Sequence, residues 1–247
     1  MSKEAIHQLF GYEGIQIIQR EDILAFSVDS LLLADFVNIP KRVTSIVDFG
    51  TGNAPIPLYL SLKTKKPILG FEIQEESVDL AKRSVALNHL EHQITILQAD
   101  IRLLHEQYPA SAFDLIVSNP PFFKVKETSP LNDSHQKSLA RHEITIDLAT
   151  LIQQAKRLLS TGGIFCMIHR VDRLQEIFRL MDRFAFAIKR LKFVYPKVGQ
   201  DAVMVLIEAR NNGSIVGLRL EPPLYISDEQ GNYTETMRAI HLFGKQE

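Results

Sequence analysis

The chain has 247 residues, enough for one large α/β domain with modest terminal additions. Hydrophobic residues make up 45% of it and charged residues 23%, which excludes a disordered, fibrous or disulfide-scaffold protein. A formal net charge of −1 excludes blanket basicity, so any nucleic-acid substrate must be held by local basic patches or through a small recognised element.

Residues 1–40 read as an N-terminal extension. Its start, Met1 to Ala5, is polar and lacks a secretory apolar stretch. Its longest apolar region, Ile23 to Val37, is interrupted by Asp29 and Asp35 and is too short to span a bilayer. No membrane segment and a cytoplasmic location are therefore expected. Ser45–Phe49 predicts a short apolar strand that runs into Gly50-Thr51-Gly52, with a helix over 54–62. Pro67–Phe71 predicts the next strand and Glu75–Asn88 an amphipathic helix with Val78, Leu80, Ala81, Val85 and Leu87 apolar. Ile94–Leu97 is a third strand, and Phe113–Ser118, after a short helix, a fourth.

A long polar stretch, Lys124 to Glu143, separates that strand from a helix over 146–159 that Gly162-Gly163 is expected to end. Gly163–Ile168 is a fifth strand; it holds the single cysteine, Cys166, which reads as buried core with no disulfide partner and no zinc-ligand cluster. A helix over 171–181 and the arms 186–195 and 202–209 of an antiparallel pair complete a core of 41–210, and a polar tail of 211–247 follows. Strands alternating with helices predict an α/β fold. Seven strands form one mostly parallel sheet, with an antiparallel strand at its edge and helices on both faces, in a single domain over 1–247.

Asp48-Phe49-Gly50-Thr51-Gly52-Asn53-Ala54 follows a strand and opens a helix, where glycines let the backbone approach a ligand closely. Glu72 ends the second strand, placed to accept hydrogen bonds from ribose hydroxyls. A dinucleotide fingerprint would need a third Gly or Ala where Pro55 stands. Asp48 stands instead where methyltransferases place an acid near the methionine moiety of S-adenosylmethionine. Asp100, after the third strand, stands where they hydrogen-bond its adenine amino group. The predicted cofactor set is Asp48, Gly50, Thr51, Gly52, Asn53, Glu72, Ile73, Asp100, Ile101 and Asn119, with S-adenosylmethionine as the cofactor.

Asn119-Pro120-Pro121-Phe122 follows the fourth strand at the carboxyl edge of the sheet, where ligands bind in this architecture. The prolines remove backbone donors and stiffen the turn, leaving carbonyl oxygens and the Asn119 side chain as acceptors. Such acceptors suit an aromatic exocyclic amine, whose lone pair is delocalised until both its hydrogens are taken, and Phe122 offers a face on which a base stacks. These four residues are the predicted catalytic set. No metal site and no serine or cysteine nucleophile is expected.

With these residues the chain resembles class I methyltransferases of the "small domain" group acting on amino nitrogens, and so implies their Rossmann-like fold. More narrowly it is similar to the bacterial tRNA1(Val) adenine N(6)-methyltransferase family, which modifies the adenosine beside the anticodon. Gln19 and the run Phe26-Ser27-Val28-Asp29-Ser30-Leu31-Leu32-Leu33-Ala34 resemble the family's segment that covers the cofactor, and Ala140-Arg141-His142-Glu143 is also familiar. Ala54 stands where a glycine is frequent. The resemblance implies an RNA substrate, tRNA first, and a monomer is expected. Phe122, Lys124, Arg141 and His142 are the candidate substrate contacts; Lys126, Lys137, Lys189, Arg190, Lys192 and Lys197 are further basic candidates or solvated surface. Rival readings are methylation of a glutamine in a release factor, methylation of a guanine amino group in ribosomal RNA, and a non-catalytic nucleotide-binding or RNA-binding module.

Overall fold

The structure, a computed structural model, describes residues 4–9, 12–20, 28–122 and 146–242. Two strands, β1 (Glu4–Leu9) and β2 (Tyr12–Arg20), pair antiparallel as a separate hairpin. The remaining strands are β3 (Ile46–Phe49), β4 (Ile68–Glu72), β5 (Ile94–Gln98), β6 (Phe113–Ser118), β7 (Leu159–Arg170), β8 (Phe186–Lys197), β9 (Met204–Asn211), β10 (Arg219–Leu220) and β11 (Leu224–Ser227). They form one sheet in the order β10-β8-β9-β7-β6-β3-β4-β5, with β11 also on β8. The pairs among β3, β4, β5, β6 and β7 are parallel, and β9 is antiparallel to both β7 and β8.

The Rossmann-like class holds with two amendments. The antiparallel strand lies between β7 and β8 rather than at the rim. The tail adds two short strands, so nine strands stand where seven were expected. Its anchors are Leu224, Met237 and Ile240, all buried, the last two on helix α7 (Glu235–His241).

The described helices ahead of α7 are α1 (Val28–Phe36), α2 (Pro55–Lys63), α3 (Glu75–Leu87), α4 (Leu104–Gln107), α5 (Leu148–Leu158) and α6 (Leu174–Arg183). They cover both faces because strand side chains alternate. Along β7, Ile164, Cys166 and Ile168 join the core under α1, α2 and α3, while Phe165 and Met167 join the core under α5 and α6. Helix α5 shows the matching helical period, burying Leu148, Leu151, Ile152, Ala155 and Leu158. Each full burial of a leucine or isoleucine side chain contributes about 1.5–3 kcal/mol. Helix α5 begins at Asp147, whose carboxylate accepts from Thr150 N at 2.9 Å.

Gly162-Gly163 does not end α5. Leu159, already extended, starts β7 directly. Between Phe113↔Leu159 and Leu115↔Ile164 the register with β6 slips, so the glycine pair sits in a bulge, where Gly162 adopts φ +73°.

Gly70 on β4 is a close-approach glycine. A Cβ there would lie 2.8 Å from Ile96 Cδ1 and 2.9 Å from the Thr51 side chain. Gly70→Ala is expected to cost about 1–3 kcal/mol by overpacking, read as a lower urea midpoint at unchanged slope. No helix among the described residues is long and apolar enough to cross a membrane.

Candidate active site

Strand β3 has β4 on one side and β6 on the other, so the chain winds outward in both directions from this point. At such a switch point the connections leave the sheet oppositely and open a crevice at the carboxyl ends of the strands. Phe49 pairs with Ser118, so the residues that follow, Gly50 and Asn119, start side by side on neighbouring strands. Neighbouring strands lie about 4.8 Å apart.

The turn after β3 is held from β4. Gly50 N and Thr51 N both donate to Phe71 O, at 2.9 and 3.0 Å. Gly50 and Gly52 take φ of +73° and +55°, which glycine adopts without Cβ strain; Ala54 takes +72° as the residue before α2. Glu72 Oε2 accepts from Gly52 N at 2.9 Å, and Oε1 accepts from Ile73 N and Gln74 N at 2.9 and 3.0 Å. One carboxylate thus ties the glycine turn to the end of β4. Asn53, buried, donates to Ile18 O at 3.0 Å and fastens the hairpin over the same turn.

Asp48 is fully buried, and neither carboxylate oxygen has a hydrogen-bond partner among the described residues. Burial pushes its carboxyl up to about 7. The Thr51 hydroxyl opposes the shift from nearby, without hydrogen-bond geometry to the carboxylate, and the Glu72 charge adds to it. A buried acid without a partner costs folding energy, so it marks a place suited to a cationic ligand group.

Asp100 follows β5. Its oxygens are already engaged: Oδ1 accepts from Arg102 N and Nε at 2.9 Å each, and Oδ2 from Arg102 Nε and Nη2 at 2.9 and 2.5 Å. The Arg102 side-chain hydrogen bond holds the Asp100 carboxyl below its ordinary value. Any amine bound by Asp100 must displace or share that guanidinium. Ile73 is half-buried, and Ile101 is buried beside Asp100.

Asn119 Nδ2 donates to Ser30 Oγ on α1 at 3.1 Å, while Asn119 Oδ1 is buried with no partner among the described residues. Pro120 is buried and Pro121 exposed, which presents the turn edge-on. Phe122 meets the His169 ring edge-on at 5.3 Å. His169 is buried at the end of β7; burial lowers it to about 4, and its Nδ1 accepts from Arg170 N at 2.9 Å. The imidazole is therefore neutral near pH 7, with its proton on Nε2.

Lys124, Lys126, Lys137, Arg141 and His142 lie outside the described residues. Of the cations near the final hairpin, Arg190 is spent internally. It pairs with Glu208 and Glu221 at 3.0 and 2.9 Å, donates to Phe36 O and stacks on the Phe36 ring. Lys189 caps the carbonyls of Ser214 and Val216, and Lys192 lies 3.6 Å from Glu221. Arg190 and Lys192 are thus structural rather than free surface charges. Sequence reasoning placed Ser30 only within the run expected to cover the cofactor and gave no role to His169; a lone histidine closing an apolar strand carries no local signal.

Residues 40–214 match the family model described as a methyltransferase domain, which spans the whole switch point. The chain belongs to this methyltransferase family. Among curated relatives, the methyltransferase is 32% identical over 178 residues to the tRNA1(Val) (adenine(37)-N6)-methyltransferase of Porphyromonas gingivalis, covering 68% of each chain. To the protein of the same name from Tolumonas auensis it is 26% identical over 200 residues, covering 80% of this chain and 81% of the relative. Its fold is similar to that of a predicted O-methyltransferase from Agrobacterium tumefaciens. The TM-score there is 0.69 at 21% identity, over 87% of this chain and 96% of the other. Among the described residues no group of three histidine, cysteine or acidic side chains is arranged to hold a metal.

Proposed function

We propose that this methyltransferase moves the methyl group of S-adenosylmethionine to the exocyclic N6 amino group of adenine in tRNA, at the position beside the anticodon. The observation that carries the reading is Asn119 Oδ1, a buried acceptor one strand away from the buried Asp48 carboxylate, both without a hydrogen-bond partner among the described residues. The residues fit the cofactor. Asp48 suits the methionine ammonium, Glu72 and the Gly50–Gly52 turn suit the ribose, and Asp100, once Arg102 yields, suits the adenine amine. When bound, the cofactor supplies an electrophilic methyl group on a sulfonium.

Asn119 Oδ1 and the Pro120 carbonyl accept the two hydrogens of the target amine, withdrawing its lone pair from the ring and aiming it at the methyl group. Acceptor dipoles fixed beforehand stabilise the positive charge that grows on nitrogen, and the juxtaposition of the two strand ends supplies the alignment. Phe122, backed by His169, carries the base. Lys124, Arg141 and His142 extend the substrate surface in this reading. The whole chain then serves as one catalytic unit with its N-terminal segment over the cofactor, acting on tRNA in the cytoplasm as a monomer.

Support for the substrate comes from the named relatives of 26–32% identity. The test is methyl transfer from labelled S-adenosylmethionine to total tRNA, total rRNA and release factor, followed by nucleoside and amino-acid analysis. Label recovered as N6-methyladenosine in one tRNA is the expected result. Label confined to methylguanosine in rRNA or methylglutamine in protein would overturn the substrate and leave the site standing.

A further inference from the structure

We infer that Ser30 is a positioning residue for the transfer step, accepting from the inward-facing Asn119 Nδ2 so that the carboxamide oxygen is left to face the target amine. The inference rests on the role given to Asn119 above. A carboxamide is almost symmetric in shape, so packing alone does not choose between its two orientations; its hydrogen-bond partners do. With the nitrogen outward, two sets of N–H donors would confront each other and the amine would lose its acceptor. Asn119 Nδ2 instead donates to Ser30 Oγ at 3.1 Å, leaving Oδ1 buried and free among the described residues. The serine hydroxyl can also donate, so Ser30 alone tolerates either orientation. The bound amine offers Asn119 only hydrogens, and Ser30 then keeps the inward-facing Nδ2 satisfied. Donation from Nδ2 also polarises the amide, which strengthens Oδ1 as an acceptor.

The hydroxyl is delivered by a rigid element. Ser30 is 5% exposed, and Leu31, Leu32 and Leu33 beside it are buried to within 1%. Lys63 Nζ caps the end of α1 by donating to the carbonyls of Ala34, Asp35 and Val37 at 2.9, 2.7 and 2.6 Å. Arg190 Nη2 takes the Phe36 carbonyl at 2.6 Å. The N-terminal segment therefore reaches the substrate side of the site as well as the cofactor side.

The test is a double-mutant cycle in single-turnover and steady-state assays on the full chain with tRNA. Ser30→Ala is expected to lower kcat about tenfold, the effect of one lost hydrogen bond. KM for tRNA and the Kd for S-adenosylhomocysteine should stay within about twofold. On an Asn119→Ala background the same change should cost nothing further, because its whole effect passes through Asn119. Unchanged kcat in Ser30→Ala, or an equal loss on both backgrounds, overturns the inference. Full turnover in Asn119→Ala alone would instead sink the site reading on which it rests.

Discussion

Asn119→Ala is expected to lower kcat by about 10²–10³-fold, the usual cost of deleting one preorganised dipole from a site of developing charge. Affinity for S-adenosylhomocysteine should be nearly unchanged. The separation follows from geometry: Asn119 closes β6 and bonds to Ser30, whereas the turn that suits the cofactor hangs from Phe71 and Glu72 on β4. Asn119→Asp keeps an acceptor at the same place, and the Ser30 hydroxyl can turn to donate to it, so it should retain more turnover than the alanine. Rapid-quench measurement of one methyl transfer, beside calorimetric titration of the product cofactor, checks both statements. Equal loss of turnover and cofactor binding would place Asn119 in the cofactor site instead.

Asp48→Asn should do the opposite on two axes. The folded-state carboxyl lies near 7, above its ordinary 3.8. Between those values the folded protein holds a proton that the unfolded chain has released. The stability linked to this group is thus fully present below pH 3.8 and is lost as pH rises through about 7. Above that point the free protein carries a buried carboxylate without a hydrogen-bond partner among the described residues. The asparagine variant avoids this, and should be more stable than the native protein at pH 8 by roughly 2–4 kcal/mol. At pH 4 the advantage should vanish. The same change removes the anion proposed to face the methionine ammonium and should weaken cofactor binding about 10–100-fold. Urea midpoints of the free protein at the two pH values, with cofactor titration at pH 8, test the pair. A native protein more stable than the variant at pH 8 would mean that the carboxylate has a partner.

The central sheet was legible because buried parallel strands are short apolar runs, and β3, β4, β5 and β6 fall within a residue or two of their expected bounds. Helix α3 was legible through its 3.6-residue period. The hairpin was not. Ile17 and Ile18 are both buried, which breaks the alternation that announces a strand, because one face meets the core and the other is covered near α3. The tail misled through polarity, since Leu224, Met237 and Ile240 are too scattered to show a period. Gly162-Gly163 suggested a helix stop when its positive φ serves a bulge. At the site, Asp48, Glu72, Asp100 and Asn119 were visible as strand-end residues. The Ser30–Asn119 bond, which spans 89 positions, was not, because no local pattern encodes a contact made only in the folded chain. The Arg102 clasp on Asp100, two positions away, was not because neighbouring opposite charges do not by themselves announce a pair.

The hairpin is fastened almost wholly from afar. Gln16 N and O meet the Asn88 side chain, Ile18 N meets Ser84 Oγ, Ile18 O meets Asn53, and Arg83 pairs with Glu4. Its own antiparallel pairing is local, and a lone two-stranded hairpin is marginal in water. Closing loops of such length adds little entropy beyond that of short ones, so sequence distance does not forbid docking. What docking requires is that the end of α3 already exist. The hairpin is therefore expected to dock only after α3 has formed, so that its order of assembly would run against the order of the sequence. Pulsed hydrogen exchange during refolding would read this as late protection of Gln16 and Ile18.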